Sequence, residues 1–154
     1  MSNLHDEARS ALAVLPQGAR ILGLDLGAKT IGMATSDLRL QIATPRETIS
    51  RTKFQTDAGL LLAFAMREEI GLIVVGFPLN MDGSEGPRCQ SSRAFVRNLS
   101  KLNPLPVVFW DERLSTVAVT RVMLEADISR AKRAENVDKL AAAYILQSFL
   151  DSAR

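Results

Sequence analysis

The spacing of apolar and polar positions predicts three consecutive β-strands near the start of the chain. An apolar run covers residues 21–26, and two further strand-like segments follow after short turns, at 31–36 and 41–49. Short connections favour antiparallel pairing of neighbouring strands. Pro45 lacks a backbone N–H, so we expect the third strand to lie at the sheet edge or to contain a bulge.

After these strands, the pattern alternates helices with short buried strands. Apolar positions recur at helical spacing over residues 53–70. The run 72–77 is apolar throughout, as expected for a parallel strand covered on both faces. The remaining elements are predicted as a helix at 88–102, a strand at 106–110, and helices at 115–126 and 137–152. The order β-β-β-α-β-α-β-α-α predicts an α/β protein with the ribonuclease H-like arrangement. Its five-stranded mixed sheet would have three antiparallel strands plus two parallel ones, with helices on both faces.

The chain length sets the domain organisation that we expect. A chain of 154 residues with 47% hydrophobic content is large enough for one domain with its own core. Residues 20–154 would form that domain. Residues 1–19 would be an N-terminal extension with a short helix at 7–15, in which His5 is a solvated tail residue.

Composition excludes several kinds of protein. A single cysteine rules out an intramolecular disulfide and a Cys-based zinc site, and a single histidine gives little support for a Ser-His or Cys-His catalytic system. The net charge of +2 is compatible with nucleic acid but is no evidence for it. No apolar run is long enough for a membrane span, and the first residues do not resemble a secretion signal. We therefore expect a cytoplasmic protein with no membrane partner.

Asp25 is the strongest candidate for chemistry, because it lies in the middle of an apolar strand. Burying a lone carboxylate is costly, so Asp25 should be paired, hydrogen-bonded or bound to a cation. Gly23, Gly27 and Gly32 would let another backbone or a phosphate group approach it. Two chemistries use such an element: metal-dependent cleavage of phosphodiesters and hydrolysis of ATP.

Two further carboxylates could join Asp25. Glu112 follows the strand that ends at Trp110, at the carboxyl end where α/β sheets usually bind ligands, although a surface ion pair with Arg113 is an equal alternative. Asp138 lies at the start of the last predicted helix, where the helix dipole alone would explain it. Together the three would supply the oxygen ligands that Mg²⁺ or Mn²⁺ prefers.

Basic and amide side chains are candidates for contact with nucleic acid. Residues at every fourth position form one stripe on the predicted helix 88–102, and three more precede Asp138. These are Arg93, Arg97 and Lys101, followed by Arg130, Lys132 and Arg133. Solvated charge is the usual meaning of such groups, but their place near the carboxylates makes phosphate contact at least equally favoured. In the glycine-rich loop 76–86, Asn80 could contact phosphate or sugar, whereas Asp82-Gly83 could be a plain turn.

Four segments resemble, in order, the motifs of the YqgF (RuvX) family, bacterial ribonuclease H-like proteins related in fold to the RuvC Holliday-junction resolvase. The segments are LDLGAKTIGMATSD, IVVGFPLNMDGSEG, DERLST and VDKLAAAYILQSFLD, which fall within residues 20–152. The resemblance implies a Mg²⁺-dependent nuclease whose role is maturation of the 5′ end of the 16S ribosomal RNA precursor. By matching positions, it implies that Asp25, Glu112 and Asp138 are the catalytic metal ligands and that Arg113 is the arginine of the DER motif.

The sequence therefore favours a metal-dependent endonuclease that acts on structured RNA. A four-way DNA junction is the alternative substrate, and symmetric incision would require a dimer, so either a monomer or a weak homodimer is open. A non-cleaving nucleic-acid-binding accessory protein is a further alternative, which three mutually repelling carboxylates disfavour. The ATPase alternative is disfavoured by size, because actin-like ATPases close two such domains around the nucleotide.

Overall fold

The computed structural model describes residues 4–115 and 130–153, with the side chains of 130–136 left out. The helices are α1 (Leu4–Ala13), α2 (Phe54–Arg67), α3 (Pro87–Ser100) and α4 (Arg130–Ser152). The strands are β1 (Arg20–Leu26), β2 (Thr30–Ser36), β3 (Ala43–Ser50), β4 (Ile70–Phe77) and β5 (Val107–Asp111), and a 3₁₀ turn covers Glu112–Leu114. In these parts of the chain, no helix is long and apolar enough to cross a lipid bilayer.

The five strands form one mixed sheet in the order β3-β2-β1-β4-β5. β1, β2 and β3 pair antiparallel, whereas β4 pairs parallel with both β1 and β5. The predicted division into three antiparallel and two parallel strands is confirmed. β3 lies at the sheet edge, as Pro45 indicated, and its register with β2 shifts beside that residue. β1, β4 and β5 end at the same edge of the sheet, which we call the carboxyl edge.

Alternating residues of β1 build a core on each face of the sheet. Leu22, Leu24 and Leu26 pack in the cluster that contains the apolar residues of α2 and α3. Ile21 packs instead with the buried residues of α4 and with Ala8 of α1. Because successive side chains of a strand point to opposite faces, β1 assigns α2 and α3 to one face and α1 and α4 to the other. We call the second of these the α4 face.

Glycines let α4 lie directly against the sheet. A Cβ added at Gly23 would come within 2.8 Å of Leu146 Cβ and 3.0 Å of the Ala142 carbonyl oxygen. Ala141 and Ala142 are buried at this contact. The sequence pattern predicted close packing by the small residues at 141–143, and the structure confirms it. This packing fixes where the first turns of α4 meet the carboxyl edge.

Two predicted elements differ from the structure. α4 begins at Arg130, so the polar loop predicted before residue 137 is wrong. Residues 130–136 contain no glycine or proline and are mostly good helix formers, which explains why the helix extends through them. The helix predicted at 115–126 falls, except for Ser115, outside the described residues.

The N-terminal helix packs on the sheet and is not a solvated tail. α1 contacts β5, and Ala8 is fully buried. The His5 ring lies 5.2 Å from the Trp110 ring, so the interpretation of His5 as a solvated tail residue is wrong. Trp110 is a large apolar side chain near the end of β5, and α1 helps to cover it.

Candidate active site

Asp25 is buried near the end of β1 and faces α4. Its exposed fraction is only 2%. Gly23, two residues earlier, meets α4, so strand alternation directs the Asp25 side chain to the same face. Gly32 pairs with Asp25 on β2, and the parallel register of Leu24 with Val75 puts Gly76 beside it on β4. Because both neighbours lack a side chain, the space on either side of the Asp25 carboxylate is open to other groups.

Asp138 of α4 reaches the β1–β2 turn beside Asp25. Its backbone carbonyl occupies the space that a Cβ on Gly32 would need, and its carboxylate occupies the corresponding space at Gly27. The Thr30 hydroxyl donates a hydrogen bond to Asp138 Oδ2, and Asp138 is only 8% exposed. This carboxylate is therefore held against the turn that leaves β1, on the β2 side of Asp25.

The position of Asp138 within α4 changes the interpretation of its charge. Since α4 begins at Arg130, Asp138 is the ninth residue of the helix and lies beyond its first turn. The helix dipole acts within the first turn, so the expectation that it explains this carboxylate is wrong. A buried carboxylate without that stabilisation needs hydrogen bonds or a cation, and Thr30 supplies one hydrogen bond.

Glu112 lies on the other side of Asp25. It is half-buried in the 3₁₀ turn after β5, and its Cγ is 3.3 Å from where a Cβ on Gly76 would be. Ile145 of α4 approaches the same position, so Glu112 is on the α4 face. The three candidates thus follow one another across the sheet in the order Asp138, Asp25, Glu112, over β2, β1 and β4.

The three carboxylates do not form a closed metal cage. Within residues 4–115 and 130–153, no group of three or more Asp, Glu, His or Cys residues lies close enough to hold one ion. Mg²⁺ does not require such a cage, because it usually binds one or two carboxylates and keeps water or substrate phosphate as its other ligands. The oxygen donors Asp25 and Asp138 on the α4 face therefore fit Mg²⁺ or Mn²⁺, and Glu112 is one strand away.

Arg113 pairs with Asp111 and not with Glu112. Its guanidinium contacts the Asp111 carboxylate at 2.7 and 3.0 Å and donates to the Met81 carbonyl oxygen at 3.2 Å. Hydrogen bonding to Asp111 raises the pKa of Arg113. Arg113 therefore fastens the loop after β4 to the end of β5, and its charge is already balanced by a carboxylate.

Asn80 is used within the loop that follows β4. Its amide donates to Ser84 Oγ at 2.9 Å, and its backbone N–H donates to the Ser84 carbonyl oxygen at 2.9 Å. Ser84 Oγ donates in turn to Asp82 at 2.6 Å. Gly83 has a φ of +88°, which confirms the turn at Asp82-Gly83. The structure shows Asn80 shaping this loop.

Arg93 is the candidate basic residue nearest the carboxyl edge, and it is bound to Glu85. The two groups form a bidentate ion pair with N–O distances of 2.8 and 2.7 Å. The hydrogen bonds from Arg93 lower the pKa of Glu85. The guanidinium also lies over the rings of Phe77 and Phe109. Arg93 is therefore held by one carboxylate and two aromatic rings.

The other predicted basic residues are separated from Arg93. α3 starts after the loop that follows β4 and leads back to β5, so Arg97 is exposed farther from the carboxyl edge. Lys101 is the C-cap residue of α3. Arg130, Lys132 and Arg133 belong to the start of α4, and their side chains lie outside the described residues.

Sequence reasoning missed two residues that organise the β1–β2 turn. Thr30 holds Asp138, as described above. Arg51 follows β3 and donates from Nη1 to the Gly27 carbonyl oxygen at 2.7 Å. Both contacts join segments that are distant in the chain, so no local pattern pointed to them.

Comparison with solved structures defines the class of protein. The chain is similar to RuvC of T. thermophilus in complex with a Holliday junction substrate, with a TM-score of 0.55 and 14% identity over 87% of this chain and 95% of that chain. It is also similar to fowlpox virus resolvase bound to Holliday junction DNA, with a TM-score of 0.51 and 10% identity over 86% of this chain and 97% of that chain. At such low identity these matches show the fold alone, and the predicted ribonuclease H-like class is confirmed.

Comparison of sequences then gives the family. The family model described as "RuvX: Holliday junction resolvase" matches residues 19–152. A relative from Paramagnetospirillum magneticum, named "Putative pre-16S rRNA nuclease", is 60% identical over 141 residues, covering 92% of this chain and 91% of that protein. One of the same name from Ruegeria sp. is 56% identical over 98% of this chain and 96% of that protein. The chain belongs to the RuvX family, and the resemblance that its motifs indicated is confirmed.

Proposed function

We propose that this protein is a metal-dependent endonuclease that processes the 5′ end of the 16S ribosomal RNA precursor. The observation that carries the proposal is the row Asp138, Asp25 and Glu112, drawn from three elements on one face of the sheet. The row lies at the carboxyl ends of parallel strands, where α/β sheets usually bind ligands. The names of the relatives at 60% and 56% identity support the choice of RNA substrate. Ribosomal RNA processing would take place in the cytoplasm.

Asp25 and Asp138 would hold the metal ion, with Glu112 beside them. When bound, Mg²⁺ or Mn²⁺ activates water and stabilises charge on the phosphate oxygens. The chain itself orients this site. Thr30 fixes the Asp138 carboxylate through its hydroxyl, and the glycine at position 76 leaves room beside Asp25 for Glu112 and a substrate phosphate. Arg113 keeps the loop after β4 attached to the same edge.

The first test is cleavage of precursor RNA by the wild type and by Asp25→Asn. The substitution keeps the shape of the side chain and removes its charge, so we expect loss of cleavage in both Mg²⁺ and Mn²⁺. Glu47→Gln is the matched control, because Glu47 is an exposed carboxylate on the edge strand β3, where it pairs with Arg67. The control should cleave like the wild type. Equal cleavage by Asp25→Asn and wild type would contradict the proposal.

A four-way DNA junction is the second candidate substrate, favoured by the printed description of the matching family model. Competition distinguishes the two: unlabelled junction DNA and unlabelled precursor RNA are each titrated against labelled precursor RNA. Symmetric incision of a junction would also need a dimer, so the mass of the complex in solution is a second readout. Binding of RNA without cleavage of either nucleic acid would instead indicate an accessory role.

A further inference from the structure

Three basic residues surround the turn that joins the candidate metal ligands. Lys29 precedes β2, and Arg51 and Lys53 lie between β3 and α2. The Arg51 N–H donates to the Lys29 carbonyl oxygen at 2.8 Å, which joins the two segments. Lys29 and Lys53 are exposed, and Arg51 is half-buried. We call these three residues the turn cluster.

The turn cluster differs from the other basic groups because its charges are not balanced by carboxylates. Four arginines of the described chain form ion pairs: Arg46 with Glu68, Arg67 with Glu47, Arg93 with Glu85 and Arg113 with Asp111. Within residues 4–115 and 130–153, no member of the turn cluster takes part in an ion pair. The acidic residue nearest to Lys53 in the chain is Asp57, which is buried and accepts hydrogen bonds from Thr52. The turn cluster is thus available to an external anion.

The position of the turn cluster relates it to the candidate active site. Arg51 Nη1 holds the carbonyl oxygen of Gly27, two residues after Asp25. Thr30, the next residue after Lys29, holds Asp138. The Arg51 guanidinium also lies over the Phe95 ring, which limits its freedom. The cluster is therefore fixed at the β3 side of the carboxylate row, opposite the side where Arg93 and Arg113 are paired with carboxylates.

We propose that Lys29, Arg51 and Lys53 bind the phosphate backbone of the nucleic-acid substrate and guide its strand over the β1–β2 turn to Asp25 and Asp138. This inference rests on the proposed function, which it extends by assigning the substrate path. Lysine and arginine side chains that neutralise phosphates supply much of the affinity of nucleic-acid binding and make it depend on salt. They position the strand without reading its sequence.

The test compares two double variants that change the net charge equally. Lys29→Ala with Lys53→Ala removes the two exposed lysines and leaves the Arg51 contact with Gly27 intact. Arg9→Ala with Arg39→Ala is the control, since both are exposed, on α1 and on the β2–β3 turn at the opposite end of β2. Both pairs are made in the Asp25→Asn background, and binding of labelled precursor RNA is measured in Mg²⁺ at several salt concentrations. We expect the cluster variant to bind more weakly and to lose about 2 from the slope of log affinity against log salt.

The same variants in the wild-type background separate this inference from the proposed function. We expect Lys29→Ala with Lys53→Ala to raise KM while leaving kcat close to that of the control pair. Equal salt slopes for the two double variants would overturn the inference, even if the wild type cleaves RNA. A reduced slope without wild-type cleavage would support the cluster as a binding surface and overturn the proposed nuclease activity. No RNA binding by any variant would overturn both.

Discussion

At the scale of single residues, the hydrogen bond from Thr30 to Asp138 is the most informative contact at the site. Thr30→Val keeps the shape of the side chain and removes the hydroxyl that serves the buried Asp138 carboxylate. An unmet hydrogen bond of this kind costs about 1–3 kcal/mol of folding stability. Loss of a group that orients a metal ligand typically lowers metal affinity about 10–100-fold. We expect both effects for Thr30→Val, measured by urea unfolding and by calorimetric titration with Mn²⁺.

Thr30→Ser is the control for that prediction, because it restores the hydroxyl. It should recover most of the Mn²⁺ affinity, although it lacks the methyl group. If the valine and serine variants bind Mn²⁺ equally well, Thr30 does not orient a metal ligand and only its structural contact remains.

The same contact shows what sequence can predict about individual residues. Asp25 could be selected from sequence because a carboxylate inside an apolar strand conflicts with the local pattern. Thr30 is an ordinary residue at the start of a strand, and its partner is 108 positions away. Arg93 was selected correctly as lying near the carboxyl edge, but its pairing with Glu85 depends on how the loop after β4 folds. Local patterns therefore identify the charge that conflicts with its surroundings, and not the residues that support it.

At the scale of elements, the contact between α4 and the sheet determines the geometry of the site. Gly32→Ala would place a Cβ against the Asp138 backbone carbonyl, so α4 would have to shift. We expect a loss of about 1–3 kcal/mol of stability, as is typical of overpacking, together with displacement of Asp138. Gly59→Ala provides the control, because its Cβ would meet nothing within 4 Å in α2. There alanine should stabilise the helix by roughly 0.5–1 kcal/mol.

Urea unfolding of the two glycine variants measures the difference, and the signs should be opposite. If both alanines stabilise the protein, α4 is not in tight contact with β2. Loss of RNA cleavage by Gly32→Ala, with retained cleavage by Gly59→Ala, would relate the helix position to activity.

Elements were easier to predict than their ends. The antiparallel strands were predicted because short turns leave few other pairings, and Pro45 marked the edge strand correctly. The start of α4 was predicted seven residues too late, because the charged segment was interpreted as a loop despite its good helix formers. That difference moves Asp138 out of the first helical turn, and so changes the physical explanation of a candidate site residue.

At the scale of the whole molecule, metal binding should be measurable as folding stability. A ligand that binds only the folded state stabilises it by about 2.7 kcal/mol at 100 times its Kd. For a domain of this size, that corresponds to a rise in Tm of about 5–10 °C. Asp25 and Asp138 come together only when β1 and α4 pack, so the unfolded chain offers no equivalent site. We therefore expect Mn²⁺ to raise the Tm of the wild type and of Glu47→Gln, but not that of Asp25→Asn. Without metal the order should reverse, with Asp25→Asn unfolding at a higher temperature than the wild type, because removal of one charge relieves repulsion within the carboxylate row. A Tm of Asp25→Asn that rises with Mn²⁺ as much as the wild type would mean that the ion binds elsewhere.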